Sequence, residues 1–193
     1  MPPRPKFTRE EIIAAALDLV SEKGLQALTS RDLGARLGSS ARPIFTVFKN
    51  MEEVQREVCG AAMGRFEEFP EEPVPDAPAF KQFGMQMIRF AIEEPKLYQL
   101  LFMSENGAAR SFDDIFATLG DNARVCVDVI QRDYGLTEDE AGMLFRQVWI
   151  YTFGIGALCA ARVCRFSGEE IDELMRQNFT AMMMLIKSGK SGQ

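Results

Sequence analysis

The sequence predicts an all-α protein in two parts, a small helical head followed by a larger helical body. Three observations carry that expectation. Apolar residues recur at three- and four-residue spacing along nearly the whole chain, and no run of period-two alternation bounded by hairpin turns interrupts them. Ser or Thr followed three residues later by Glu, the pattern of a capping box, occurs at Thr8 and Glu11, Thr137 and Glu140, and Ser167 and Glu170. Residues 70–78 hold four of the nine prolines and cannot continue a helix, which marks the boundary between head and body.

The first helix begins at Thr8, with Ile12, Ile13, Ala16, Leu17 and Val20 as its apolar stripe and Gly24 as the left-handed residue expected to end it. A short second helix follows Leu28-Thr29-Ser30, with Leu33 and Leu37 inward and Gly38 as its break. Ser39 or Ser40 is expected to cap a third helix in which Pro43 falls in the first turn, where its missing N–H costs little. Ile44, Val47 and Phe48 are its inward residues. Asn50 then caps a fourth helix through about Phe69, with Glu52 and Glu53 in its first turn. Beyond the boundary the spacing predicts helices near 79–94, 96–104, 110–134, 138–165 and 169–187.

The chain has 193 residues, 47% hydrophobic and 26% charged, enough for a real core and unlike a disordered chain. It has no histidine, which removes Ser-His and Cys-His nucleophilic pairs, His metal sites and imidazole pH switching. Cys59, Cys126, Cys159 and Cys164 form no C-x-x-C and are expected to be buried, reduced thiols. Apolar runs are read as falling short of the ~20 residues of a membrane span, and the N-terminus has no stretch of about 7–15 apolar residues typical of a secretory signal. The expectation is a cytoplasmic protein that engages no membrane. Paired carboxylates at Glu52-Glu53, Asp113-Asp114 and Glu169-Glu170 read as helix-start charges, so no catalytic residue, metal or cofactor is expected.

Net charge is −6, but it is unevenly spread. Residues 1–50 hold eight basic and five acidic side chains, a net +3, and the remaining 143 residues carry −9. The basic head is where an anionic partner would go. Three short helices within roughly 45 residues, broken by Gly38-Ser39-Ser40-Ala41 between the second and third, also have the spacing of a helix-turn-helix.

The run from Phe7 to Val58 resembles the N-terminal DNA-binding domain of TetR/AcrR-type transcriptional regulators. Matching features are Ala15-Ala16-Leu17, Glu22-x-Gly24, Thr29-Ser30-Arg31, Leu37-Gly38-Ser39-Ser40 and Phe45-x-x-Phe48, with Leu33-Gly34 where the family usually has Ile-Ala. The resemblance implies a helix-turn-helix domain over 1–52, a fourth helix over about 51–69 connecting to the body, and an effector-binding and dimerisation domain over 70–193. It also implies a homodimeric repressor of a palindromic double-stranded DNA operator, released by a small-molecule effector. Phe45 stands where the family usually has a tyrosine whose hydroxyl meets a phosphate, Val47 where it has histidine, and Met51 where it has lysine. Thr29, Arg31, Ser40, Arg42, Lys49 and the fourth helix's N-terminal amides are available in their place. DNA binding with altered backbone contacts is the expectation; the alternative is a ligand-binding or scaffold dimer of the same fold that has lost DNA binding.

Arg42 is the candidate for base-edge readout, because its fork can address guanine O6 and N7 together, and a phosphate clamp is its plainer role. Ser39, Ser40, Ala41 and Thr46 can meet phosphates or thymine methyls, the serines serving equally as caps. Phe45 either lies against the sugar-phosphate rail or packs in the head's own core. In the body, Phe83, Met87, Phe90, Phe102, Phe116, Cys126, Trp149 and Phe153 are candidates to line a cavity for a largely apolar effector, although plain core is the first reading of each taken singly. The last two helices carry the small residues Gly154, Gly156, Ala157, Cys159, Ala160 and Ala161 and the stripe Ile171, Leu174, Met175, Phe179, Met182, Met183 and Ile186. They are expected either to form a two-fold dimer, setting two heads ~34–36 Å apart on successive major grooves, or to close the chain's own core.

Overall fold

A computed structural model describes residues 5–70, 79–104 and 112–190, with the backbone alone for 79, 112–122 and 190. Among the described residues there are eight α-helices and no strand. They are α1 (Arg9–Lys23), α2 (Ser30–Arg36), α3 (Met51–Glu67), α4 (Ala79–Glu93), α5 (Pro95–Phe102), α6 (Phe112–Tyr134), α7 (Glu138–Ala160) and α8 (Gly168–Lys190). Short 3₁₀ turns cover Leu25–Ala27 and Ile44–Thr46. The chain folds as two compact units.

The first unit comprises the chain through Phe69 together with Phe90–Ser104. α1 packs on α2, α3 and α5. Its start is the expected box: Thr8 Oγ1 accepts from Glu11 N at 3.2 Å and Thr8 N donates to Glu11 Oε2 at 2.8 Å. Ile12, Ala16, Leu19 and Val20 are buried, whereas Ile13 and Leu17 are only half-buried, so the stripe is turned toward Leu19 relative to the expected one. Gly24 ends α1 with φ 85° and ψ 169°, a positive φ but an extended ψ, so it is a glycine-only conformation other than the expected left-handed one. Glu94, at the head of α5, accepts from Ser21 of α1 at 2.7 Å and pairs with Arg65 of α3, tying three helices together. Phe90 and Phe102 both set their rings edge-on to Phe66, at 5.1 and 5.5 Å.

The expected third helix is the main local departure. Residues 41–47 form a turn with one 3₁₀ segment, Ile44–Thr46, in place of an α-helix, and neither Ser39 nor Ser40 caps it; Pro43 occupies the cap position. Amides reach back three residues, Ile44 to Ala41 O at 3.1 Å and Thr46 to Pro43 O at 3.2 Å. Fourteen residues separate α2 from α3, and the turn at Gly38, Pro43 and the Asn50 cap divide them so that the i→i−4 ladder does not extend beyond a single bond, Phe48 N to Ile44 O at 2.9 Å.

The second unit comprises Pro70–Arg89 and Glu105–Gln193. Its core holds Phe80, Ile88, Ile130, Leu136, Leu144, Val148, Ile155, Ile171, Met175 and Ile186, and α7 packs between α6 and α8. α7 is long and apolar enough to cross a membrane by length and composition, which corrects the expectation that every apolar run falls short. Its acidic first turn and its buried Ala141, Leu144, Val148, Ile155 and Ala160 are those of a core helix. It ends at Ala160 and not near 165, because Arg162 takes a left-handed φ of 57° and Val163 N closes onto Leu158 O at 3.0 Å. All four cysteines are free; Cys59, Cys126 and Cys159 are partly buried, with burial pushing their thiols up, whereas Cys164 is exposed, against expectation.

Candidate nucleic-acid interface

The helix-turn-helix is built on one close approach. Gly34 of α2 lies so near the following segment that a β-carbon there would stand 2.9 Å from Ser40 C and Ala41 N. Ser39 N donates back to Gly34 O at 2.9 Å, which closes the turn. The next residues then divide by side. Ile44 and Phe48 are 0% and 1% exposed and anchor the turn, while Arg42, Phe45, Thr46 and Lys49 face solvent, Phe45 with 46% of its surface exposed. Phe45 is therefore no part of the head's core. Thr29, Arg31 and Ser40 are also exposed, and Ser39 and Ala41 are half-buried.

Hydrogen bonding separates the candidates further. Thr29 is the N-cap of α2: its hydroxyl accepts from Asp32 N at 3.1 Å and donates to Asp32 Oδ2 at 2.5 Å. Ser39 Oγ accepts from Lys6 Nζ at 3.0 Å, and Thr46 Oγ1 donates to Pro43 O at 2.6 Å. Among the described residues Arg31, Arg42 and Lys49 make no side-chain hydrogen bond or ion pair, although the Lys49 charge helps to hold Glu53 down. By contrast, Arg9, Arg36 and Arg65 are each tied to carboxylates.

The turn is fixed by a residue the sequence reading passed over. Arg9 stacks its guanidinium 4.3 Å from the centre of the Phe48 ring, donates to Val47 O at 3.3 Å and pairs with Glu53 and Glu57 of α3. Those two carboxylates lie four residues apart on one helix face, and that spacing opposite a first-turn arginine was the available signal. The bonds to Glu57 and Glu53 push the Arg9 guanidinium's pKa up. Glu53 is held below the ordinary carboxylate range, chiefly because the Lys49 backbone amide donates to it at 2.7 Å and then because of Arg9. Asn50 caps α3 as expected, accepting from Glu53 N at 2.9 Å, so that first-turn amide is already taken and does not face a ligand.

The candidate effector residues fall in different places. Phe90 and Phe102 belong to the first unit's aromatic cluster; Phe83, Met87, Cys126, Trp149 and Phe153 belong to the second unit, Trp149 and Phe153 stacking at 5.4 Å; the side chain of Phe116 lies outside the described residues. Within the second unit a cavity of about 160 Å³ is lined instead by Phe80, Tyr134, Val148, Met175 and Phe179, with Lys81 and Arg176. The three rings contact one another at 5.2 to 6.2 Å. Lys81 pairs with Asp172 at 2.9 Å and Arg176 with Glu173 at 2.5 Å, so the lining is apolar and carries no unpaired charge. Among the described residues no cluster of three or more His, Cys, Asp or Glu is placed to hold a metal ion.

A helix-turn-helix with exposed cations, followed by a separate helical unit, defines the class of helical DNA-binding regulators. Two family models cover most of the chain: that of bacterial regulatory proteins of the tetR family matches residues 12–58, and that of the tetracyclin repressor-like C-terminal domain matches 80–182. The chain belongs to the TetR family of transcriptional regulators, with its DNA-binding domain at the N-terminus. Solved structures share its fold. A TetR family regulator from Vibrio parahaemolyticus is 16% identical with a TM-score of 0.58, over 90% of this chain and 97% of that one. TetR from Acinetobacter baumannii AYE is 17% identical with a TM-score of 0.54, over 96% and 98%. A variant of the latter in complex with minocycline is 18% identical with a TM-score of 0.51, over the same shares. No curated protein sequence matches it.

Proposed function

We propose that the protein is a homodimeric, ligand-responsive repressor acting in the cytoplasm, and not an enzyme. Residues 1–52 form the operator-binding domain, α3 connects it onward, and residues 70–193 serve effector binding and dimerisation. The observation that carries the reading is the sorting of cations in the head. Arg31, Arg42 and Lys49 are exposed and unpaired within residues 1–52, where Arg9 and Arg36 are held by carboxylates, and unpaired exposed cations are what a phosphate backbone requires. They stand in for the phosphate donors missing at Phe45, Val47 and Met51.

Ile150 and Leu158 of α7 and Met184 and Leu185 of α8 remain exposed although α7 and α8 already pack together, so the pair carries a second apolar face suited to another copy of the chain. An effector that fits the aromatic lining around Phe80, Tyr134 and Phe179, whose two cations are already paired with carboxylates, is itself largely apolar. Effector and operator oppose each other by linkage when each favours a different arrangement of the dimer. The test is binding to duplex fragments from around the coding region, with a salt titration and a scrambled duplex as control. The reading expects a preferred palindromic fragment whose affinity falls steeply with salt. No preference for any fragment, even at low salt, overturns it in favour of a dimer that has left DNA.

A further inference from the structure

The turn at 41–47 exposes one large apolar side chain among cations. Phe45 stands out with 46% of its surface exposed, directly beside the fully buried Ile44. It has no hydroxyl and cannot donate to a phosphate. Thr46 already donates its hydroxyl to Pro43 O at 2.6 Å, so it has no free donor for a phosphate and adds a methyl to the surface, and the half-buried Ala41 offers only a methyl. The exposed, unpaired Arg42 and Lys49 lie three and four residues from Phe45 in the chain, a charge pattern that favours a polyanionic surface over a protein core or a second copy of this acidic chain. In duplex DNA the base-edge group complementary to carbon is the thymine 5-methyl, which projects only into the major groove.

Resting on the operator-binding reading, we propose that Phe45 is a specificity-determining residue that packs against a thymine 5-methyl group in each half-site, beside the base pair that Arg42 addresses. Phe45 contributes carbon contact at a fixed base pair, and Arg31 and Lys49 hold the backbone.

The experiment uses the full-length protein and its preferred palindromic duplex. Each thymine is replaced in turn by deoxyuridine, which removes the 5-methyl group and leaves base pairing intact. At one position per half-site the wild-type protein is expected to lose about fourfold in affinity, and about fifteenfold when both half-sites are changed, the value of one buried methyl each. In Phe45→Ala the same replacements have no effect, while the slope of affinity against salt is unchanged because no phosphate contact has been removed. Phe45→Leu, which keeps an apolar side chain of similar reach, retains part of the thymine preference and guards against a folding defect in the alanine variant. Wild-type binding that is indifferent to deoxyuridine at every position overturns the proposal, as does an equal loss in Phe45→Ala. Those outcomes leave specific DNA binding standing, whereas the lack of any preferred duplex overturns the operator reading as well.

Discussion

Arg9 acts at one point on three elements: it connects the start of α1, the end of the turn at 41–47 and the first turns of α3. Arg9→Gln removes both ion pairs and the guanidinium over Phe48. The expected result is a lower melting temperature together with weaker binding to specific and scrambled duplexes alike, measured by thermal unfolding and by anisotropy titration. Glu53 adds a pH dependence whose sign follows from its lowered pKa. A carboxyl that titrates lower when folded stabilises the fold above the ordinary carboxylate range, and that contribution is lost as pH falls through the lowered value. Glu53→Gln should therefore melt below wild type at neutral pH, with the gap closing below about pH 4. At Gly34 the constraint is space, since the added β-carbon of Gly34→Ala meets backbone at 2.9 Å that cannot rotate away. The expected loss is about 1–3 kcal/mol of stability in urea unfolding.

Helix starts were legible residue by residue, because a cap is a local exchange of hydrogen bonds among four consecutive residues. Thr137 Oγ1 accepts from Glu140 N at 3.3 Å with the reciprocal bond at 2.8 Å, and Ser167 and Glu170 do the same at 3.2 and 2.7 Å. Thr137→Ala should cost about 1 kcal/mol in guanidinium unfolding, with no change in the residues that α7 buries. Helix interiors and ends were less legible. The third helix became a 3₁₀ turn, and α7 stopped at Ala160 because a single left-handed residue, Arg162, intervened; no local pattern distinguishes Arg162 from its neighbours. Phe90 illustrates the limit within a stripe: its spacing admits both core and cavity, and only its burial against Phe66 and Phe69 identifies it as core. Phe90→Ala should cost about 3–5 kcal/mol, far more than loss of a ligand contact would.

For the whole molecule, the surface that tests the proposed dimer is the one α7 and α8 leave uncovered. Introducing charge there with Ile150→Glu and Leu185→Glu should convert a dimer to monomer in light scattering without loss of helicity, since both side chains are already exposed in the single chain. The sequence by itself determined the all-α class, the capped helix starts, the helix-turn-helix spacing and the basic head, because periodicity, caps and charge are written over distances of a few residues. Tertiary structure alone decided that residues 90–104 pack with the first unit, that Arg9 reaches Glu53 and Glu57 across 44 and 48 residues, and that Phe45 faces solvent while Phe48 does not. Those outcomes depend on which distant surfaces meet, and burial is a property of the meeting and not of the residue.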